Sequence, residues 1–304
     1  MSKIKSGKAA KISLTVILLG IFAFVVVATL KFNNIKEFIT PSKDTGTPMT
    51  ILDTADCAKA FENSKQTLVQ LHIYTDLDGT VFSKDEGDLN DSSIEEGSSA
   101  VNPQILNSDV YGSFGSGSIW EYDEDTILIV TNYHVISQVV TKNALGYAVF
   151  YNGTIAEFTV TAYDDDADCA FIEVDSSCMT REQLFNLRCV VPYDQDLVTL
   201  AAQDTIFVVH SNEIMRSDMV AGNTLDMIAD TSYVGYILSP SIYVSALLQD
   251  MLYCKCSADA GMSGGPTFDA YGYYIGMLTG ATDEDEIVSV LLPDIEAVYE
   301  KVGN

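Results

Sequence analysis

Histidine is scarce in this chain: 304 residues carry three, His72, His134 and His210. Any reaction that needs an imidazole has three places to find one, and no Cys or His cluster is spaced to complete a zinc site, so no metal is assigned. Basic side chains are few as well, 16 Lys and Arg against 43 Asp and Glu, for a formal net charge of -27. That balance argues against nucleic acid as a partner, because such a field repels phosphate. Glycine-rich phosphate-binding motifs are absent, and no cofactor is implied. The acidity has two readings: solubility of an exposed surface, or a field that favours basic substrates.

What is present centres on Gly261-Met262-Ser263-Gly264-Gly265-Pro266. Glycines allow a tight turn that exposes backbone N–H groups. A serine on such a turn can act as a nucleophile, with the Gly261 and Ser263 N–H groups as an oxyanion hole. The hydroxyl needs a base, and the base needs a carboxylate to orient it. His134 closes an apolar strand at a polar corner, whereas His72 and His210 lie inside apolar runs that suit structural histidines. Asp168 opens the apolar stretch 168–174 and is the carboxylate candidate, with Asp164, Asp165 and Asp166 as rivals. No histidine follows Ser263, which disfavours an α/β-hydrolase, where the histidine comes after the serine.

Lys3, Lys5, Lys8 and Lys11 precede the uncharged apolar run 12–30, which as a helix would span roughly 28 Å, near the hydrocarbon thickness of a bilayer. A convincing signal-cleavage site does not follow it, so an uncleaved transmembrane anchor is expected, with residues 1–11 as a cytoplasmic basic tail and the rest outside the cell membrane. Beyond residue 31 lie all 43 acidic residues and 11 of the 16 basic ones. Residues 31–57 read as a linker or stalk, and 76–109, dense in Asp, Glu, Ser and Gly, as a long mobile surface loop.

The motifs Gly115-Ser116-Gly117-Ser118, Thr131-Asn132-Tyr133-His134-Val135, the stretch 168–174 and GMSGGP occur in the order and approximate spacing of trypsin-like serine proteases. The stretch 58–304 resembles that family, most of all its HtrA (DegP) branch, without room for a PDZ domain after it. The resemblance implies an all-β, chymotrypsin-like fold of two six-stranded antiparallel barrels with the triad His134, Asp168 and Ser263 in the cleft. Strands are expected at 67–74, 118–122, 127–131, 147–151, 154–161 and 169–174 in a first barrel over about 65–175. A second, over about 190–292, takes 197–201, 205–210, 232–238, 251–256, 266–269, 273–278 and 287–292. Helices are expected at 55–64 and, opened by Pro293, through Lys301. Asn152-Gly153 between two strand-like segments is a hairpin signal.

By the same resemblance the substrate pocket is floored near Ser257 and walled by the strand from Gly276 through Thr279 to Gly280. A neutral floor predicts small or medium apolar side chains before the scissile bond. Met262 departs from the family: digestive enzymes carry there an aspartate that pairs with a newly cut N-terminus. A zymogen switch of that kind is excluded because the carboxylate is missing. The six cysteines permit disulfides that sequence cannot assign, a Cys254-x-Cys256 metal pair, or buried free thiols. The function expected is a membrane-anchored extracytoplasmic serine endopeptidase acting on polypeptides, as monomer or oligomer. The competing class is a catalytically silent protease-fold ectodomain that binds or senses.

Overall fold

Period-two alternation organises the first half of the domain, and it uses both strand faces. In β3 (Thr126–Thr131), Ile127 and Ile129 enter one buried cluster while Leu128 and Val130 enter another. β7 (Cys169–Asp175) divides the same way, with Ala170, Ile172 and Val174 on one face and Cys169 and Phe171 on the other. Successive side chains of a strand point to opposite faces, so one face fills the interior of the first sheet and the other meets the second half of the molecule.

The computed structural model describes residues 46–76, 105, 110–142, 144–211 and 229–303, all within one compact unit, Thr45–Asn304. The first sheet adds β1 (Leu68–Asp76), β2 (Val110–Tyr122), β4 (Leu145–Phe150), β5 (Ile155–Glu157) and β6 (Thr159–Asp164), in the antiparallel order β5-β4-β1-β2-β3-β7-β6. The second is a closed barrel of β8 (Thr205–Ser211), β9 (Ala229–Val244), β10 (Gln249–Lys255), β11 (Pro266–Asp269), β12 (Tyr274–Thr282) and β13 (Glu286–Leu291).

The second barrel therefore has the expected six strands, but the first is a seven-stranded half-barrel. The reason is Phe158. The stretch expected as one strand over 154–161 breaks there: Phe158 turns its ring inward against Gly146 and gives its N–H to the Gly146 carbonyl at 3.0 Å. β5 thus pairs with β4 and β6 with β7, so the two edges of the sheet are consecutive in the chain. The Asn152-Gly153 turn forms as read, with Gly153 at φ 82° and Phe150 N–H bonded to the Thr154 carbonyl.

Other elements differ for equally local reasons. Residues 197–201 form no strand: Asp194 accepts the N–H groups of Asp196 and Leu197 through its carboxylate and holds a turn. β9 runs well past 238 because Pro240, which cannot donate to a ladder, falls in a register shift against β10. Residues 46–56, expected as the end of a stalk, are strapped to the domain, with Met49 N–H on the Cys189 carbonyl and Asp56 N–H on that of Ala270. Asp56 then caps helix α1 (Cys57–Ser64) by accepting from Lys59 N–H. The anchor expected at 12–30 and nearly all of the loop expected at 76–109 lie outside the described residues; among those described, no helix is long and apolar enough to cross a membrane.

Two short helices were not expected, α2 (Tyr133–Lys142) and α3 (Arg181–Phe185). The closing helix α4 (Leu292–Tyr299) is, with Pro293 in its first turn and Leu292, Ile295 and Val298 buried. It packs Tyr299 against Trp120, whose ring also meets Phe171 and Tyr274 edge-on at 5.7 and 5.9 Å. This aromatic cluster joins the half-barrel to the barrel. All six cysteines are free thiols.

Candidate active site

The end of β3 and the start of β7 are neighbours in the sheet, Thr131 opposite Ala170, so His134 and Asp168 emerge at one place. Asp168 sits at φ 48°, a left-handed conformation that Asp tolerates better than most residues, and this turns its carboxylate toward α2. There Oδ1 accepts the backbone N–H of His134 at 2.9 Å, one of the orphan donors of a helix first turn. His134 Nδ1 lies 2.8 Å from Oδ2 and 3.1 Å from Oδ1. With Nδ1 committed to the carboxylate as donor, Nε2 carries the lone pair, the tautomer a general base requires. The carboxylate is mostly buried and the imidazole half-exposed. Asp164 is engaged elsewhere: it caps the turn 164–167 and binds Lys301 Nζ at 2.7 Å, and that ammonium, foremost among its contacts, lowers its pKa.

Ser263 enters from the barrel. Its hydroxyl donates to the Thr279 carbonyl at 3.3 Å, and among the described contacts no hydrogen bond joins it to the imidazole. Catalytic hydrogen bonds are often long before substrate binds and tighten in the complex. Around the serine the chain is held tightly. Ser116 N–H donates to the Ser263 carbonyl and Ser116 Oγ to that of Gly261, each at 2.8 Å. Thr131 Oγ1 in turn donates to the Ser116 carbonyl at 2.7 Å. Gly264 has to be glycine: at φ +85° an added Cβ would stand 2.2 Å from the Ser116 carbonyl oxygen and 2.4 Å from Thr131 Oγ1. Gly261, at φ +88°, lies against the Phe114 ring. The N–H groups of Gly261 and Ser263 meet no acceptor among the described residues, leaving two donors free beside the serine.

Met262 takes over part of the anchoring that its position suggests. Its side chain is buried with Ile206, Val208, Ile237 and Cys256, so the loop is pinned by apolar burial, worth about 1.5–3 kcal/mol for a fully buried methionine. Asn132 links the two halves: its amide N–H₂ donates to the Asp168 carbonyl at 3.0 Å and to Thr279 Oγ1 at 2.8 Å. Ser116 and Asn132 lie within the recognised motifs, but their roles were not legible there; the available signal is a polar residue at the buried end of an apolar strand.

The pocket residues separate. Thr279 adjoins Ser263. Gly276 faces the barrel interior, where a Cβ would meet Val290, Ser289 and Leu252. Ser257, expected at the pocket floor, donates its hydroxyl to Asp285 Oδ1 at 2.9 Å. His72 lies in β1 and His210 in β8. His72 Nε2 pairs with Gln70 Oε1 at 2.8 Å, and burial lowers its pKa to about 4.

Comparison with protein families matches residues 115–277 to the trypsin-like peptidase domain. The chain belongs to the trypsin-like peptidase family. The match spans the motifs around Ser116, His134, Asp168 and Ser263. Among solved structures, Deg5 superposes on this trypsin-like domain with a TM-score of 0.51 at 15% identity, covering 79% of this chain and 90% of that one. The shared HtrA-like architecture is thus a likeness of fold. No curated protein matches the chain.

Proposed function

We propose that the protein is a serine endopeptidase that hydrolyses peptide bonds through an acyl-enzyme. The observation that carries this reading is His134, held by the Asp168 carboxylate through Nδ1 and its own N–H, with Asp168 tied through Asn132 and Thr279 to Ser263 and its two unengaged neighbouring N–H groups. His134 Nε2 takes the Ser263 proton as Oγ attacks the carbonyl carbon, and the imidazolium is stabilised by Asp168. The oxyanion is received by the Gly261 and Ser263 N–H groups, fixed dipoles that need no reorganisation as charge develops. His134 then protonates the leaving amine, and a water that it deprotonates releases the acyl group.

A full-length preparation treated with a fluorophosphonate probe tests this. Labelling is expected for the parent and not for Ser263→Ala or His134→Ala. The Ser263 hydroxyl resting on the Thr279 carbonyl favours a second reading, a silent binding module, which predicts a folded parent that never labels.

We also propose that residues 12–30 anchor the chain in the cell membrane, N-terminus inside and peptidase domain outside. The support is the apolar run with its four preceding lysines. Alkaline-carbonate extraction tests it: the chain should stay with the membrane, and release into the supernatant would contradict the anchor. Polypeptides are the proposed partners, and self-association is read from sedimentation.

A further inference from the structure

Asp259 lies four residues before Ser263 and outside the triad, yet it is tied into the loop at both its backbone and its carboxylate. Its N–H points at Met262 Sδ, 3.1 Å away, and its carbonyl accepts the Met262 N–H at 3.3 Å, closing the turn that leads into Gly261. On the other side Asp259 Oδ2 accepts the Tyr233 hydroxyl of β9 and stands 3.9 Å from His210 Nδ1 of β8. That nitrogen is buried and has no hydrogen-bond partner among the described residues, and the His210 and Tyr233 rings lie 6.3 Å apart. His210 and Tyr233 therefore form a polar corner on the barrel wall that the proposed chemistry leaves unused, aimed at one carboxylate.

We infer that Asp259, held by the Tyr233 hydroxyl with His210 beside it, is a positioning residue that sets the oxyanion loop from the barrel side. The loop is gripped at three points. Ser116 holds the Gly261 and Ser263 carbonyls, Met262 is buried in the barrel, and Asp259 fixes where the turn begins. Release of the third point frees the 260–261 peptide to rotate, and with it the Gly261 N–H that would meet the oxyanion. A hydroxyl-to-carboxylate hydrogen bond is among the stronger kinds, which gives this contact leverage on a loop otherwise held by neutral bonds. The catalytic part of the inference rests on the reading of Ser263 as nucleophile; the structural part does not.

The test uses the full chain with Tyr233→Phe, Asp259→Ala and the double variant. Hydrogen exchange is followed at the Met262, Gly264 and Gly265 amides, with those of β2 and β12 as folding controls, alongside fluorophosphonate labelling and peptide cleavage. Exchange in the loop should quicken about tenfold in each single variant, about 1.4 kcal/mol, and no further in the double, because the two residues act as one unit. Labelling rate and kcat should fall by a similar factor while KM holds. Unchanged loop exchange overturns the inference, as does faster exchange with labelling at the parental rate. Faster exchange in a chain whose parent never labels leaves Asp259 as the loop's anchor and removes the peptidase reading.

Discussion

Replacing Gly264 by alanine places a methyl group where the structure has none to spare. The ideal Cβ would sit 2.2 Å from the Ser116 carbonyl oxygen, 2.4 Å from Thr131 Oγ1 and 3.1 Å from the Asn132 nitrogen. Two of these three atoms are backbone, and the third is bonded to one of them at 2.7 Å, so no flexible side chain can yield. A non-glycine residue in the left-handed region costs about 1–2 kcal/mol, and overpacking a rigid site typically about 1–3 kcal/mol more. The sum, about 2–5 kcal/mol, corresponds in a domain of this size to a Tm lower by about 4–20 °C. The variant should also lose fluorophosphonate labelling at temperatures where it remains folded, because the methyl group drives Ser263 away from β2. Thermal unfolding by circular dichroism, with labelling at 20 °C, reads both. A Tm within 2 °C of the parent together with parental labelling would refute the claim that β2 sets the serine turn.

Three further outcomes follow from the same contacts. Burial holds His72 neutral with a pKa near 4, below the ordinary value of about 6.5, so the unfolded chain takes up the proton first as pH falls. The stability this group confers is complete above pH 6.5 and lost progressively toward pH 4, by about 3 kcal/mol, and denaturant titrations should show a shallower slope for His72→Gln. Asn132→Ala unties the Asp168 carbonyl from Thr279 and should destabilise by about 1–3 kcal/mol with a parallel fall in kcat, read by urea unfolding and steady-state kinetics. On the proposed reading of Ser257 as the pocket floor, the Asp285 carboxylate bonded to it is expected to bring a Lys or Arg preference before the scissile bond; a peptide-library profile should show that preference shrink in Asp285→Asn, and an apolar profile in the parent would contradict it.

Strands were legible in the sequence wherever alternation and turn chemistry agreed, as in β1, β3, β7 and the Asn152-Gly153 hairpin. α2 was not, because Val135, Ile136, Val139, Val140 and Thr141 favour strands locally. What makes them helical is tertiary: Asp168, 34 residues away, satisfies the His134 N–H at the first turn. The break at Phe158 and the turn at 194–198 likewise depend on one buried ring and one carboxylate that no periodicity reports. At the site, the motifs singled out Asp168 among four neighbouring aspartates, and it is Asp168 that meets His134. The clamps through Ser116, Asn132 and Asp259 join segments more than 20 residues apart, so the contacts themselves had to be seen.

The account turns on whether Ser263 is an activated nucleophile. Fluorophosphonate labelling of the folded full-length chain, mapped to the modified residue by mass spectrometry, tests this most directly. The account predicts one adduct on Ser263, absent in Ser263→Ala and in His134→Ala. A folded parent that acquires no adduct, or one whose adduct survives His134→Ala at the parental rate, would contradict it.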